Sequence, residues 1–146
     1  MKKRVIFVAG SGTTRAPMAA AIMRQMVFEE DVEVLARGLV VQFPEPLNQK
    51  AEAVLISHGI NPEGYAAVQI SEDDITDDTL LFTMEETQRV KVIQEIASAT
   101  EENTFVLSQY VGDELEILDP YGGPLQSYGL CYEVIRNSIE KLLSKI

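Results

Sequence analysis

The feature that most narrows the fold is a break in hydropathy near the start of the chain. Residues 5–8, Val-Ile-Phe-Val, form a short continuous apolar run, as expected of a strand buried on both faces. The run stops at Gly10, and Gly10-Ser11-Gly12-Thr13-Thr14-Arg15 follows before Pro17. Proline fits the first turn of a helix, where its missing N–H is no loss. Met18, Ile22 and Met26, with the alanines between them, give helical spacing through about residue 28. A buried strand that passes through a glycine loop into a helix opens a strand–helix–strand unit.

The same alternation recurs. Residues 32–35 read as a second strand. Phe43-Pro44-Glu45-Pro46 is a stiff loop, because each proline fixes its own backbone and restrains its predecessor. Asn48 is expected to cap a helix reaching His58, with Gly59 ending it. A short strand is expected over residues 67–70, and Ser71-Glu72-Asp73-Asp74 reads as a capped, acidic helix start. Residues 80–83 are another buried strand. Residues 85–97 give an amphipathic helix with Val90, Ile93 and Ile96 or Ala97 inward. An apolar segment at 105–107, a loop at 119–124 and a final helix from about 125 to 143 complete the chain. There is no internal repeat, linker or low-complexity tract, so residues 1–146 read as one domain. The expected fold is α/β, with right-handed crossovers and a mostly parallel sheet covered by helices on both faces. Ligands of such sheets bind at the carboxyl ends of the strands, where the glycine loop lies.

Composition excludes some functions. The net charge is −11, from 23 acidic against 12 basic residues. That weighs against nucleic-acid partners and against a membrane surface, but says little about a buried oxyanion site, whose field is local. Cys131 is the sole cysteine, so an internal disulfide is impossible and a cytoplasmic location is the simplest expectation. It reads as a small apolar residue of the last helix. The basic start Met1-Lys2-Lys3-Arg4 leads into an apolar run too short for a signal peptide, and no stretch approaches a transmembrane length. No metal or cofactor is expected. His58 has no partner histidine, and it sits where a cation suits the helix dipole. Asp73-Asp74, Asp77-Asp78 and Glu85-Glu86 lack the spacing of a calcium loop and read as solvated faces and helix starts.

The loop carries the chemistry. Gly10 and Gly12 allow backbone conformations that turn amides inward. Ser11, Thr13 and Thr14 add hydroxyls. Successive amides at a helix start form an anion nest, favoured further by the helix dipole. Arg15 offers a planar fork to two phosphate oxygens. A Gly/Ser/Thr loop alone reads equally as an ordinary tight turn; the arginine at its end and the proline at the helix start strengthen the oxyanion reading. It is not a nucleotide P-loop, which requires Gly-Lys-Ser/Thr, and it lacks the Gly-x-Gly-x-x-Gly of dinucleotide sites.

On these residues the chain resembles the low-molecular-weight protein tyrosine phosphatase family over almost its whole length. The family signature is a strand, a cysteine, five residues, arginine and Ser/Thr, then Pro-Met-Ala. Here Ala9 stands at the cysteine position, Arg15 at the arginine and Ala16 at the hydroxyl residue, and Pro17-Met18-Ala19 match outright. The second signature, a late Asp-Pro, is Asp119-Pro120. Gly38 and Thr83-Met84 also fit. Thr13 and the run Asp119-Pro120-Tyr121-Gly122-Gly123 resemble the protein arginine phosphatase branch.

The resemblance implies a four-stranded sheet and a phosphate cradle of Gly10, Ser11, Gly12, Thr13, Thr14 and Arg15. It makes Asp119 the general-acid position and implies a pocket wall of Phe43 and Tyr121. Tyr128 reads as pocket wall or plain packing. The departures are linked. Ala9 offers no thiolate, Ala16 no hydroxyl to stabilise one, and Thr14 replaces the protective second cysteine. Gly12 replaces a bracing asparagine, Ala36 a bracing serine, and Tyr65 a histidine of the same network. Loss of the nucleophile from a covalent mechanism costs many orders of magnitude. The expected function is that of an inactive pseudophosphatase that binds phosphate, another oxyanion or a phosphorylated protein. The alternatives are a working tyrosine or arginine phosphatase with an unusual or engineered nucleophile position, and an interaction module that no longer uses the pocket.

Overall fold

The computed structural model describes residues 3–62 and 64–146; Met1, Lys2 and Glu63 lie outside them, and with them the first half of the basic start. Four parallel strands, β1 (Lys3–Ala9), β2 (Val32–Gly38), β3 (Thr79–Thr83) and β4 (Thr104–Val106), pair in the order β2-β1-β3-β4. The helices are α1 (Arg15–Arg24), α2 (Gln49–Ser57), α3 (Glu86–Glu95), α4 (Leu107–Tyr110) and α5 (Leu125–Leu143).

The continuous apolar run of β1 splits by strand alternation into two cores. Val5, Phe7 and Ala9 join the larger core with α1, α2 and α5, and Phe7 packs near Phe82 of β3. Ile6 and Val8 join a smaller one with Leu81, Ile70 and Val92 of α3. Val5, Ile6, Phe7 and Val8 are wholly buried, each contributing roughly 1.5–3 kcal/mol of apolar burial. Both faces of the sheet are therefore covered. No described helix is long and apolar enough to cross a membrane.

Register brings the strand ends together. Ala9 pairs with Gly38 and Val8 with Thr83, so β1, β2 and β3 finish side by side. The chain leaves β1 toward β2 on one side, while β3 takes the other. The crevice between the β1 and β3 ends is the switch point of the sheet, where α/β proteins place their ligands.

The expected elements are present, with corrections. Helix α1 ends at Arg24, four residues before the expected limit at Phe28, which is 76% exposed. The chain tightens through Gln25 N–H to Ile22 O and Met26 N–H to Met23 O, and this exit brings Val32 beside Lys3. Strand β2 runs three residues beyond Leu35, to Gly38. Residues 67–70 form no strand but a single bridge, Gln69 with Gly38. The start at Ser71 gives one 3₁₀ turn, Glu72–Asp74, closed by a capping box. In α3 the inward face is Gln88 and Val92, with Ile96 half-buried; Val90 and Ala97 are exposed. The buried Gln88 sets this face, because its Oε1 accepts from the Met84 and Glu85 amides. Helix α2 has the expected Asn48 cap, accepting from Lys50 and Ala51 N–H. Gly59 takes φ +78° just past its end.

Candidate functional site

The segment between β1 and α1, residues 9–15, curls into a loop in which the carbonyls of Ala9, Gly10, Gly12, Thr13 and Thr14 are taken up by hydrogen bonds. Ala9 O and Gly10 O accept from Leu39 N–H at 3.0 and 2.8 Å, Gly10 O also from Val40 N–H, Thr13 O from Asn48 N–H at 2.9 Å, and Thr14 O from Met18 N–H. Gly12 O accepts from the Tyr65 hydroxyl at 2.5 Å. Carbonyls fastened outward leave the opposite, amide edge of the loop for the cleft, the arrangement of an anion nest. The N-terminus of α1 adds its dipole.

Two glycines make the curl feasible. Gly12 has φ +73°, and a Cβ there would lie 2.9 Å from Gly38 N. A Cβ on Gly38 would meet Ser11 backbone atoms at 2.8 Å. The loop thus sits directly on the end of β2. Tyr65 is the second brace: burial raises its phenol pKa, opposed by the nearby Arg37 and Arg24, so the hydroxyl remains a donor to Gly12 across neutral pH. Ser11 Oγ and Thr13 Oγ1 bond each other at 2.8 Å. Ala36 is buried in the larger core.

Arg15 opens α1 and is only 4% exposed. Its Nη1 donates to Glu85 Oε2 at 2.6 Å and to Ile117 O at 2.7 Å. Its Nη2 lies 3.9 Å from Asp119 Oδ2. Half of the guanidinium is therefore fastened from behind, while the other half faces Asp119. Sequence reasoning placed Glu85 among solvated faces and helix starts; it does start a helix, and the fold also sets it against Arg15. It is the residue before α3, shares a capping box with Gln88 and buttresses the loop arginine. The signal that could have found it is Thr83-Met84 immediately before it, at the end of the strand beside β1.

The cleft in front of the loop has a volume of ≈ 400 Å³ and is lined by residues 9–15 with Glu45, Asp119 and Tyr121. Asp119 is half exposed, and its Oδ1 accepts from Tyr121 N–H at 3.0 Å, so it also closes a local turn. Phe43, expected in the pocket wall, is 70% exposed and stands outside the lining. Glu45 takes that place because the backbone of the stiff loop is pinned there, its carbonyl accepting from Ala67 N–H. Tyr128 is packing rather than wall: it is buried, and its hydroxyl lies 3.4 Å from Asn48 Nδ2, which donates to it. Among the described residues lining the cleft, Arg15 is the one base, against the carboxylates of Glu45 and Asp119.

The chain's one thiol and one imidazole lie outside this cleft. Ala9 opens the loop with a methyl group, 3% exposed. Cys131 lies on α5, and burial pushes its thiol up to about 11, so it is a neutral, inert thiol near pH 7. His58 stacks on Tyr132 at 4.0 Å at the end of α2, remote from the loop's lining.

A family model described as low molecular weight phosphotyrosine protein phosphatase matches residues 4–146. A low molecular weight protein-tyrosine-phosphatase, PtpB, of Staphylococcus haemolyticus is 30% identical over 141 residues, covering 95% of this chain and 96% of that protein. A protein-arginine-phosphatase of Geobacillus stearothermophilus is 28% identical over 147 residues, covering 100% and 97%. The crystal structure of a low molecular weight protein tyrosine phosphatase from T. tengcongensis superposes with a TM-score of 0.91 at 27% identity, covering 99% of this chain and 100% of that one.

Proposed function

Because the chain belongs to the low molecular weight phosphotyrosine protein phosphatase family, we propose that it is a pseudophosphatase, which holds phosphate or a phosphorylated protein side chain without transferring the phosphoryl group. The observation that carries this reading is the loop itself: its carbonyls are tied outward around Ala9, a residue with no lone pair to offer phosphorus. A covalent route needs an atom that bonds phosphorus and a donor that protonates the leaving group. Asp119 retains the second capability. The first is missing at the one position where β1 delivers a side chain to the loop floor. Ser11 and Thr13 are poor substitutes, since their hydroxyls bond each other rather than the carboxylate of Glu45 or Asp119, the two that line the same cleft.

In this reading the amides of Gly10 to Arg15 and the Nη2 edge of the Arg15 guanidinium, which faces Asp119, hold the oxyanion, and Asp119 and Tyr121 form the mouth. An alanine floor removes the anionic sulfur that a phosphate dianion would otherwise face, so resting affinity for the dianion is favoured. The ligand brings its own charge to a cleft where Glu45 and Asp119 already oppose Arg15. Phosphoarginine suits that balance better than phosphotyrosine, because its guanidinium would meet the two carboxylates. Thr13 and the Asp119-Pro120-Tyr121-Gly122-Gly123 run point the same way.

The test is calorimetric titration of inorganic phosphate, phosphoarginine and phosphotyrosine into the protein and into Arg15→Ala. The reading requires saturable phosphate binding that Arg15→Ala abolishes, with phosphoarginine bound more tightly than phosphotyrosine. Absence of phosphate binding at millimolar concentration removes the cradle and leaves the fold as an interaction scaffold.

A further inference from the structure

A second cleft, larger than the one over the loop, runs along the outer side of the segment between α4 and α5. Its volume is ≈ 850 Å³. Ile117 anchors the segment, being 2% exposed, with its N–H directed to Met84 O and its carbonyl accepting from Arg15. That anchoring turns its neighbours outward. Leu115, Leu118 and Tyr121 are 80%, 79% and 80% exposed, and Leu130 and Val134 of α5 face them at 63% and 47%. Scattered exposed apolar residues are ordinary, but five lining one cleft form a contiguous patch of the kind that marks an interaction surface.

The charge around this patch selects the partner. Asp113, Glu114, Glu116 and Asp119 line the cleft, and no lysine or arginine does so among the described residues. Asp113 is engaged by Lys141 and Ser138, and Glu116 accepts from Glu86 N–H. Lys141 neutralises Asp113, so the rim's open charge comes from Glu114 and Glu116, the latter fixed in place. A second copy of this chain, at −11, would bring like charge against that rim, which costs association.

We propose that this cleft docks a polypeptide segment of another protein that carries apolar anchor side chains flanked by lysine or arginine. The apolar anchors fill the space between Leu118 and Leu130, and the basic residues meet the acidic rim. Asp119 and Tyr121 line both clefts, so the docked segment continues directly to the mouth of the oxyanion loop. The surface thereby selects which protein presents its side chain there. The docking step is independent of whether the loop holds phosphate.

The experiment uses a fluorescent, leucine- and lysine-rich amphipathic peptide and an analogue in which glutamate replaces every lysine. Both are titrated by anisotropy against the full chain and against Leu118→Asp and Leu130→Asp. Both substitutions are at exposed positions, and circular dichroism with phosphate-induced thermal stabilisation confirms that fold and loop are unchanged. Each variant makes the protein more acidic. Simple attraction of a polycation to an acidic protein therefore predicts equal or tighter binding, whereas docking in the cleft predicts a loss of about tenfold or more. Saturable binding of the lysine peptide, weakened in both variants and absent for the glutamate analogue, supports the proposal. Unchanged or tighter binding to the variants overturns it, as does equal binding of the glutamate analogue. Concentration-dependent dimerisation of the wild type, abolished by Leu118→Asp, overturns it in favour of a second copy. Phosphate binding lost from the wild type with peptide binding intact would instead contradict only the oxyanion reading.

Discussion

Arg15 and Glu85 meet at 2.6 Å behind the loop, and this pair links the end of β1 to the end of β3. Arg15 begins α1 and Glu85 immediately precedes α3, so each helix start reaches across the switch point of the sheet to the other. The same Arg15 nitrogen also donates to Ile117 O, which ties in the segment leading to Asp119. The pair therefore fixes the direction of the guanidinium, leaving its outer edge to the cleft.

Glu85→Gln removes the charge but keeps an oxygen for the α3 cap. Arg15 is buried while Glu85 is about one-third exposed, so the loss should fall below that of a fully buried pair, at about 1–2 kcal/mol. Phosphate affinity should rise a few-fold, since one carboxylate no longer competes for Arg15. Urea denaturation and phosphate titration of the same variant check both signs.

Tyr65→Phe deletes the hydroxyl that holds Gly12 O outward. A lost hydrogen bond of this kind costs about 1 kcal/mol. Phosphate binding should weaken as well, because a released Gly12 carbonyl can turn toward the ligand. In the native protein the raised phenol pKa means that this contribution is complete below the unfolded value near 10 and is lost only as pH rises through the folded value. Tyr65→Phe should accordingly narrow the stability difference from wild type in strongly alkaline solution, as followed by denaturation at several pH values.

Gly12→Ala combines a positive φ with a Cβ placed 2.9 Å from Gly38 N. The substitution should destabilise the fold by more than about 1 kcal/mol and abolish oxyanion binding, because backbone rather than a flexible side chain must move. Thermal unfolding with and without phosphate measures both.

Cys131 should resist alkylation near neutral pH and react faster as pH approaches about 11. The sign follows from burial, which favours the neutral thiol in the folded state. Stability from this group is complete below its ordinary value of 9.0 and falls as pH rises through the folded value. Iodoacetamide labelling rates across pH, followed by intact mass, test this; rapid labelling at neutral pH would contradict it.

The parts of the fold legible in the sequence were those where one local rule dominated. The run at residues 5–8 admitted no solvent-facing side and formed the buried body of β1. Asn48 and Gly59 bracketed α2 through capping chemistry, and the loop announced itself through Gly10, Gly12, Arg15 and Pro17. Residues whose placement depends on distant partners were not legible. Gln88 rather than Val90 turns inward because it serves the amides of Met84 and Glu85. Helix α1 stops at Arg24 because β2 must align with β1, although its apolar spacing continues. Glu85 looked like one of several acidic pairs until the fold set it against Arg15. Glu45 displaced Phe43 from the cleft through a backbone bond to Ala67, which no local pattern encodes.

The most direct test of the central claim is hydrolysis of a generic aryl phosphate, run on the same sample as a phosphate titration by thermal shift. The account predicts saturable stabilisation by phosphate, lost in Arg15→Ala, with no turnover above background. Hydrolysis that disappears in Arg15→Ala would contradict it and would place a working nucleophile in the loop.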